Sequence, residues 1–121
     1  MQWLLVFGFG GVGAVLRVAI ALALPFRIFP WATLGVNFAG CLAIGALYEL
    51  FETHPPLVNP WRIALVGGLL GGFTTFSAFG LETWLLLQSG RALAAVFYAL
   101  GSVALGVVGV AAGIALARGA S

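Results

Sequence analysis

A chain of 121 residues that is 63% apolar and only 7% charged cannot clothe a soluble domain, whose residues are about one-quarter charged. Five scattered arginines against three carboxylates give a net charge of +2, which makes no basic stripe and excludes a nucleic-acid-binding face. One cysteine, Cys41, excludes an internal disulfide, and inside an apolar run it reads as a small packing residue.

The first apolar segment covers residues 3–24 and is closed by Pro25-Phe26-Arg27. No basic region precedes it, so it is expected to be a first membrane span and not a cleaved signal. It contains Gly8-Phe9-Gly10-Gly11-Val12-Gly13, which fits the dinucleotide fingerprint. That pattern requires a strand before it and an acid about 20 residues beyond it, and no acid occurs before Glu49. Close helix packing is the better reading of these glycines. The second segment, 33–50, is followed by a polar, proline-rich connection holding Glu52, His54, Pro55, Pro56 and Pro60. The third, 61–88, ends at Ser89-Gly90-Arg91, and the fourth, 92–117, ends before Arg118. Each is near or above the ~20 residues that cross a bilayer core as a helix. None alternates with period two, and only a closed barrel would hide strand edges in lipid. Trp3, Trp31, Trp61 and Trp84 fall at or near segment ends, where interfacial aromatics belong. Gly67/Gly71, Gly68/Gly72 and Gly109/Gly113 have the spacing that lets helices approach closely in lipid.

Four spans put both ends of the chain on one side, here side A, with Arg62 and Arg118. Arg27 and Arg91 fall on side B. Arginine and lysine bias normally sets orientation, and so even a distribution predicts insertion both ways round. Two opposed copies then form an antiparallel dimer about an axis in the membrane plane.

Polar residues inside spans are functional candidates. Counted from side B at ~1.5 Å per residue, Arg17, Asn37, Glu82 and Tyr98 all lie roughly 6–11 Å deep. They read as a polar vestibule in which Arg17 and Glu82 are placed to pair. Near the middle of the third segment stands Gly71-Gly72-Phe73-Thr74-Thr75-Phe76-Ser77-Ala78-Phe79. Two glycines and three hydroxyl residues weaken a helix there, which predicts a break at the bilayer midplane. Freed carbonyls need a partner in lipid, and a sodium ion shared by both copies would serve. Phe76 and Phe79 share a helix face and offer positive ring edges to an anion. Asn37, Thr75, Ser77 and Ser102 supply further donors, and Tyr98 and Ser102 lie on one face of the fourth span.

These residues also carry a resemblance that covers essentially the whole chain. Gly10-Gly11-Val12-Gly13-Ala14 with Arg17, Thr33-Leu34-Gly35-Val36-Asn37 with Gly40, and Gly71 through Phe79 resemble the motifs of the Fluc fluoride channels, the CrcB proteins. The resemblance implies an all-α membrane protein of four transmembrane helices with a broken third helix, paired as an antiparallel homodimer with two fluoride pores. It implies a passive channel in the cell membrane, inserted in both orientations, that exports fluoride and gives fluoride resistance; it implies no enzymatic activity. Phe76 and Phe79 would line the pores, Asn37 would stand at the vestibule, and the main-chain carbonyls of Gly71 and Thr74 would hold a structural sodium ion. Glu82 and Arg17 match a family acid and arginine, and Tyr98 and Ser102 match the start of a polar track. The next position of that track is Gly106 here, and Ala78 replaces a frequent threonine. The alternative is a small proton-coupled multidrug exporter, also a four-helix inverted dimer, but that chemistry asks for an acid in the first span, which holds only Arg17.

Overall fold

A computed structural model describes residues 1–57 and 59–120; Val58 and Ser121, inside the single domain expected over 1–121, lie outside the described residues. Four helical stretches are long and apolar enough to cross a membrane, Gln2–Ala23, Trp31–Thr53, Ile63–Gln88 and Ala92–Ala120. The described residues contain no strand. The four-helix membrane architecture expected from the apolar runs is therefore the one observed.

Helix α1, Gln2–Ala23, is free of proline and stops just ahead of Pro25, with the Leu24 amide closing on the Ile20 carbonyl. Helix α2, Trp31–Thr53, starts directly after Pro30, whose fixed φ suits a helix start. At its far end the Thr53 hydroxyl donates to the Glu49 carbonyl at 2.9 Å. The His54 amide takes the Leu50 carbonyl at 2.9 Å, so the last turn is satisfied before Pro55 and Pro56 form a short 3₁₀ turn. The third stretch is composite. Ile63–Leu70 is π-helical, α3 is one turn, Gly71–Phe73, Thr74 has extended backbone at φ −86°, ψ 159°, and α4 begins at Ser77 and runs to Gln88. Gly90, at φ +77°, then reverses the chain. The Arg91 amide bonds the Leu86 carbonyl and the Gly90 amide the Leu87 carbonyl, a Schellman closure that favours a residue without Cβ. Helix α5, Ala92–Ala120, completes the bundle.

Odd and even spans run in opposite directions, and the helices associate as two parallel pairs. In the first pair, α1 lies on the π-helix and α3. A methyl on Gly13 would meet the Leu69 carbonyl and the Phe73 amide, and one on Gly72 would meet the Gly10 carbonyl. The fingerprint-like glycines thus serve helix packing. In the second pair, Gly45 abuts the Val110 carbonyl and Gly113 the Leu42 carbonyl, while Gly109 backs onto Cys41 and Phe38. Gly68/Gly72 and Gly109/Gly113 pack as close-approach pairs. Gly67 has nothing nearby, and Gly71 meets only its own helix. A β-branched side chain at the second interface has nowhere to go, because its neighbour is backbone. Gly113→Val should cost about 3 kcal/mol or more by overpacking, read as a lower unfolding midpoint of the purified protein. The same change at Gly67 should leave the midpoint of the single chain unmoved.

Buried hydrophobic residues are few. Leu86, Ala95 and Tyr98 form a cluster at the side-B end with Phe26, Phe29, Leu34 and Phe79 against it. Most large apolar side chains face outward, as Phe7, Leu22 and Val107 do, which suits lipid as the surrounding solvent.

Candidate functional site

The site is built around the three residues between α3 and α4. The Thr74 amide still reaches back to the Leu70 carbonyl at 3.0 Å, and its hydroxyl does the same at 2.9 Å. The methyl of Thr74 packs on Gly40, where a Cβ would occupy its place. At Thr75 the helical ladder is lost and α2 supplies the substitute. Asn37 Nδ2 donates to the Thr75 carbonyl at 3.0 Å, and Asn37 Oδ1 accepts from the Thr75 amide at 3.0 Å. One side-chain amide thereby satisfies both backbone groups of one residue. Thr75 also caps α4. Its Oγ1 accepts from the Ala78 amide at 3.2 Å and lies 3.4 Å from Ser77 Oγ, the pattern expected where a helix restarts.

Two carbonyls at the break have no such substitute. Among the described residues no backbone amide outside a helix, and no side chain, donates to the oxygens of Gly71 or Thr74. Both residues line one open groove of about 350 Å³ together with Asn37, Cys41 and Phe76. Hard, uncharged oxygen donors of this kind fit an alkali cation better than a softer metal. The neighbouring Gly72 carbonyl is taken by Arg17 Nε at 3.3 Å.

From the break toward side B runs a chain of aromatic rings. Phe76 lies 5.6 Å from Phe79, and Phe79 lies 5.0 Å from Tyr98. Tyr98 meets Phe29 edge-on at 5.4 Å, and Phe29 lies 4.6 Å from Trp31. Phe76 is 82% exposed on the single chain, at the edge of the groove that Asn37 and Thr75 also line.

Arg17, Asn37, Glu82 and Tyr98 do gather at one level, though not with the partners expected. Arg17 and Glu82 face a common cavity of about 140 Å³, with Thr33 and Thr75 also in its wall. They make no ion pair among the described residues, where the closest acid–base contact is Arg118 Nε to Glu49 Oε2 at 3.1 Å. Arg17 is held by the Gly72 carbonyl instead. Glu82 accepts from the Tyr98 hydroxyl at 3.3 Å, and Thr33 lies in the wall of the same cavity as Glu82. Thr33 is 8% exposed and was not singled out as a site residue. Its spacing of four from Asn37, which puts both on one face of α2, is the signal that would have found it. Phe29, in the loop before α2, had no signal at all. On α5, Ser102 Oγ is buried and has no hydrogen-bond partner among the described residues. One turn on, Gly106 faces the Cys41 sulfur at a distance of 3.4 Å from where its Cβ would lie.

This arrangement sets the Phe76, Phe79 and Tyr98 rings in sequence, with the Asn37 amide and the Thr75 and Ser77 hydroxyls near their Phe76 end. It suits passage of a small anion better than its capture.

Comparison with known proteins agrees in kind. The family described as "CrcB-like protein, Camphor Resistance (CrcB)" matches residues 4–114. The chain is 45% identical over 120 residues to the "Fluoride-specific ion channel FluC" of Methylobacterium nodulans, covering 98% of this chain and 97% of that protein. It is 43% identical to "Fluoride-specific ion channel FluC 2" of Nitrobacter hamburgensis over 98% of both chains. With the channel of the same name from Chloroflexus aurantiacus it shares 46% identity over 110 residues, 88% of this chain and 87% of the other.

Proposed function

This chain belongs to the CrcB-like family, and from that premise we propose that it is a fluoride-selective channel that lets cytoplasmic fluoride leave down its electrochemical gradient. It is a multi-pass membrane protein and not an enzyme. The observation that carries the reading is the line of Phe76, Phe79 and Tyr98 rings beside Asn37 and Thr75, in a chain nearly half identical to fluoride-specific channels. The exporter alternative gains nothing from these relatives, all named as fluoride channels, and α1 holds no acid.

The chemistry is simple. Hydrogen fluoride crosses a bilayer as a neutral acid and ionises inside, where the anion is trapped. A negative interior drives it out at ~2.3 kcal/mol per charge per 100 mV, so a passive pore suffices. Fluoride holds its water tightly, and the pore has to replace that water with several donors at once. Ring edges of Phe76 and Phe79, the hydroxyls of Thr75, Ser77 and Ser102, and the remaining Asn37 N–H are the donors available, and Tyr98, whose hydroxyl proton is given to Glu82, contributes its ring edge. Arg17, anchored by one N–H to the Gly72 carbonyl, raises the anion concentration at the vestibule. Glu82 orients the Tyr98 hydroxyl.

In this reading the active form is an antiparallel homodimer in the cell membrane. The near-equal arginine count on the two sides supports insertion both ways round. The interruption at Thr74 acts as a break in the third span at mid-depth, where it meets its own copy. Phe76, exposed on one chain, then completes a pore against the other. The Gly71 and Thr74 carbonyls of both copies would hold a sodium ion, whose positive charge would tie the copies together.

The test is fluoride efflux from liposomes loaded with potassium fluoride, read with a fluoride electrode. Fast efflux that requires valinomycin, without matching chloride efflux, is the expected result, and its loss in protein purified without sodium would support the cation's role. Absence of fluoride efflux from well-folded protein would remove the channel assignment.

A further inference from the structure

At the side-A end of the groove between α2 and the π-helix lies a second cavity, of about 110 Å³. It is lined by Ile44, Tyr48, Phe51, Glu52, Arg62 and Val66. Ile44 and Val66 also line the groove that leads inward to Asn37 and Phe76, so the apolar floor is continuous from the membrane surface toward mid-depth. Arg62 and Glu52 have opposite charge and face one space, yet they form no ion pair with each other or with any other described residue. One turn earlier on α2, Glu49 is paired with Arg118, so pairing is available at this level and is not used by Glu52 or Arg62. The cavity sits where α2 ends and the third stretch begins, beside the half-exposed Trp61. This is the depth of the lipid headgroups.

We propose that this cavity binds one zwitterionic phospholipid of the phosphatidylethanolamine class. Its phosphate faces the Arg62 guanidinium and the Tyr48 hydroxyl, its primary ammonium faces Glu52, and its acyl chains run from the cavity rim into the surrounding lipid, leaving the inner groove to the second copy. Arginine suits a phosphate because its planar fork donates two bonds at once. A primary ammonium donates hydrogen bonds to a carboxylate, which a trimethylated choline head cannot do. A purely anionic head leaves Glu52 unmatched and close to a negative charge. The unspent pair of charges thus selects for a head carrying both signs.

The experiment uses the full chain in detergent with dioleoyl lipids added, and retained lipid is counted by native mass spectrometry. Phosphatidylethanolamine should be retained about tenfold over phosphatidylcholine and phosphatidylglycerol, the scale of one charge-assisted hydrogen bond. Glu52→Gln should bring ethanolamine and choline lipids level. Arg62→Gln should weaken retention of both, and Arg27→Gln at the opposite membrane face should change nothing. Each variant is first checked for an unchanged elution profile and fluoride efflux, so failure of the fold or of the channel reading is seen separately. Equal retention of the three lipids by the unaltered chain, or an ethanolamine preference that survives Glu52→Gln, would overturn the proposal.

Discussion

Fluoride efflux through the Phe79→Ile variant should fall by about 100-fold, the rate equivalent of ~2.7 kcal/mol, while the protein remains folded. Phe79 stands between Phe76 at 5.6 Å and Tyr98 at 5.0 Å and packs against the buried cluster of Leu86, Ala95 and Tyr98. Isoleucine keeps much of the apolar bulk, so the cluster stays filled at a cost of about 1 kcal/mol. What it removes is the positive ring edge, the one feature of phenylalanine that attracts an anion. Stability and flux should therefore separate in this variant. The check is efflux from liposomes alongside the unfolding midpoint. A flux near that of the unaltered chain would take Phe79 out of the ion path and leave it as packing.

Asn37→Leu should do the opposite and lower both together. The side chain of Asn37 carries two of the bonds that hold Thr75, one on the amide and one on the carbonyl. Leucine has the same number of heavy atoms but leaves both part-buried backbone groups without their side-chain partner. Each such orphan costs about 1–3 kcal/mol, which is a large share of the 5–15 kcal/mol typical of a small domain. Asn37→Asp separates the two bonds. It keeps an acceptor for the Thr75 amide but faces the Thr75 carbonyl with a second acceptor, and it adds a negative charge beside the proposed fluoride route. Flux should be abolished there even if the unfolding midpoint is lowered only half as far as by leucine. Normal efflux through Asn37→Asp would mean that the anion does not pass this residue.

The span count was legible because lipid leaves the backbone one economical choice, and uninterrupted apolar runs of helical length announce it. The weak point in the third run was legible for a related reason. Gly71 and Gly72 beside Thr74, Thr75 and Ser77 are poor helix residues, and Thr74 has left the helix. The gathering of Arg17, Asn37, Glu82 and Tyr98 followed from counting depth along helices. Their pairing did not follow. Depth says nothing of azimuth, so it could not reveal that Arg17 turns to the Gly72 carbonyl while Glu82 turns to Tyr98. The π-helix of Ile63–Leu70 was equally hidden. An all-apolar run has no face by which a period of 3.6 can be told from one nearer 4.4, and the wider turn is set by packing on α1. Gly67/Gly71 shares its spacing with Gly68/Gly72, and only the rotation of that helix decides which pair meets a neighbour within the chain.

The two glycine-interlocked pairs have a mechanical consequence. Each pair is zipped backbone to backbone and behaves as a stiff plate. The plates meet along a seam crossed by directed contacts, among them Asn37 to Thr75 and Tyr98 to Glu82, and at the side-B end by the apolar cluster of Leu86, Ala95, Tyr98 and Phe79. Compliance in the molecule is thus concentrated where the ion is proposed to travel. The width of that passage is governed by these few side-chain contacts, and substitutions at the seam should tune how it yields without loosening either plate.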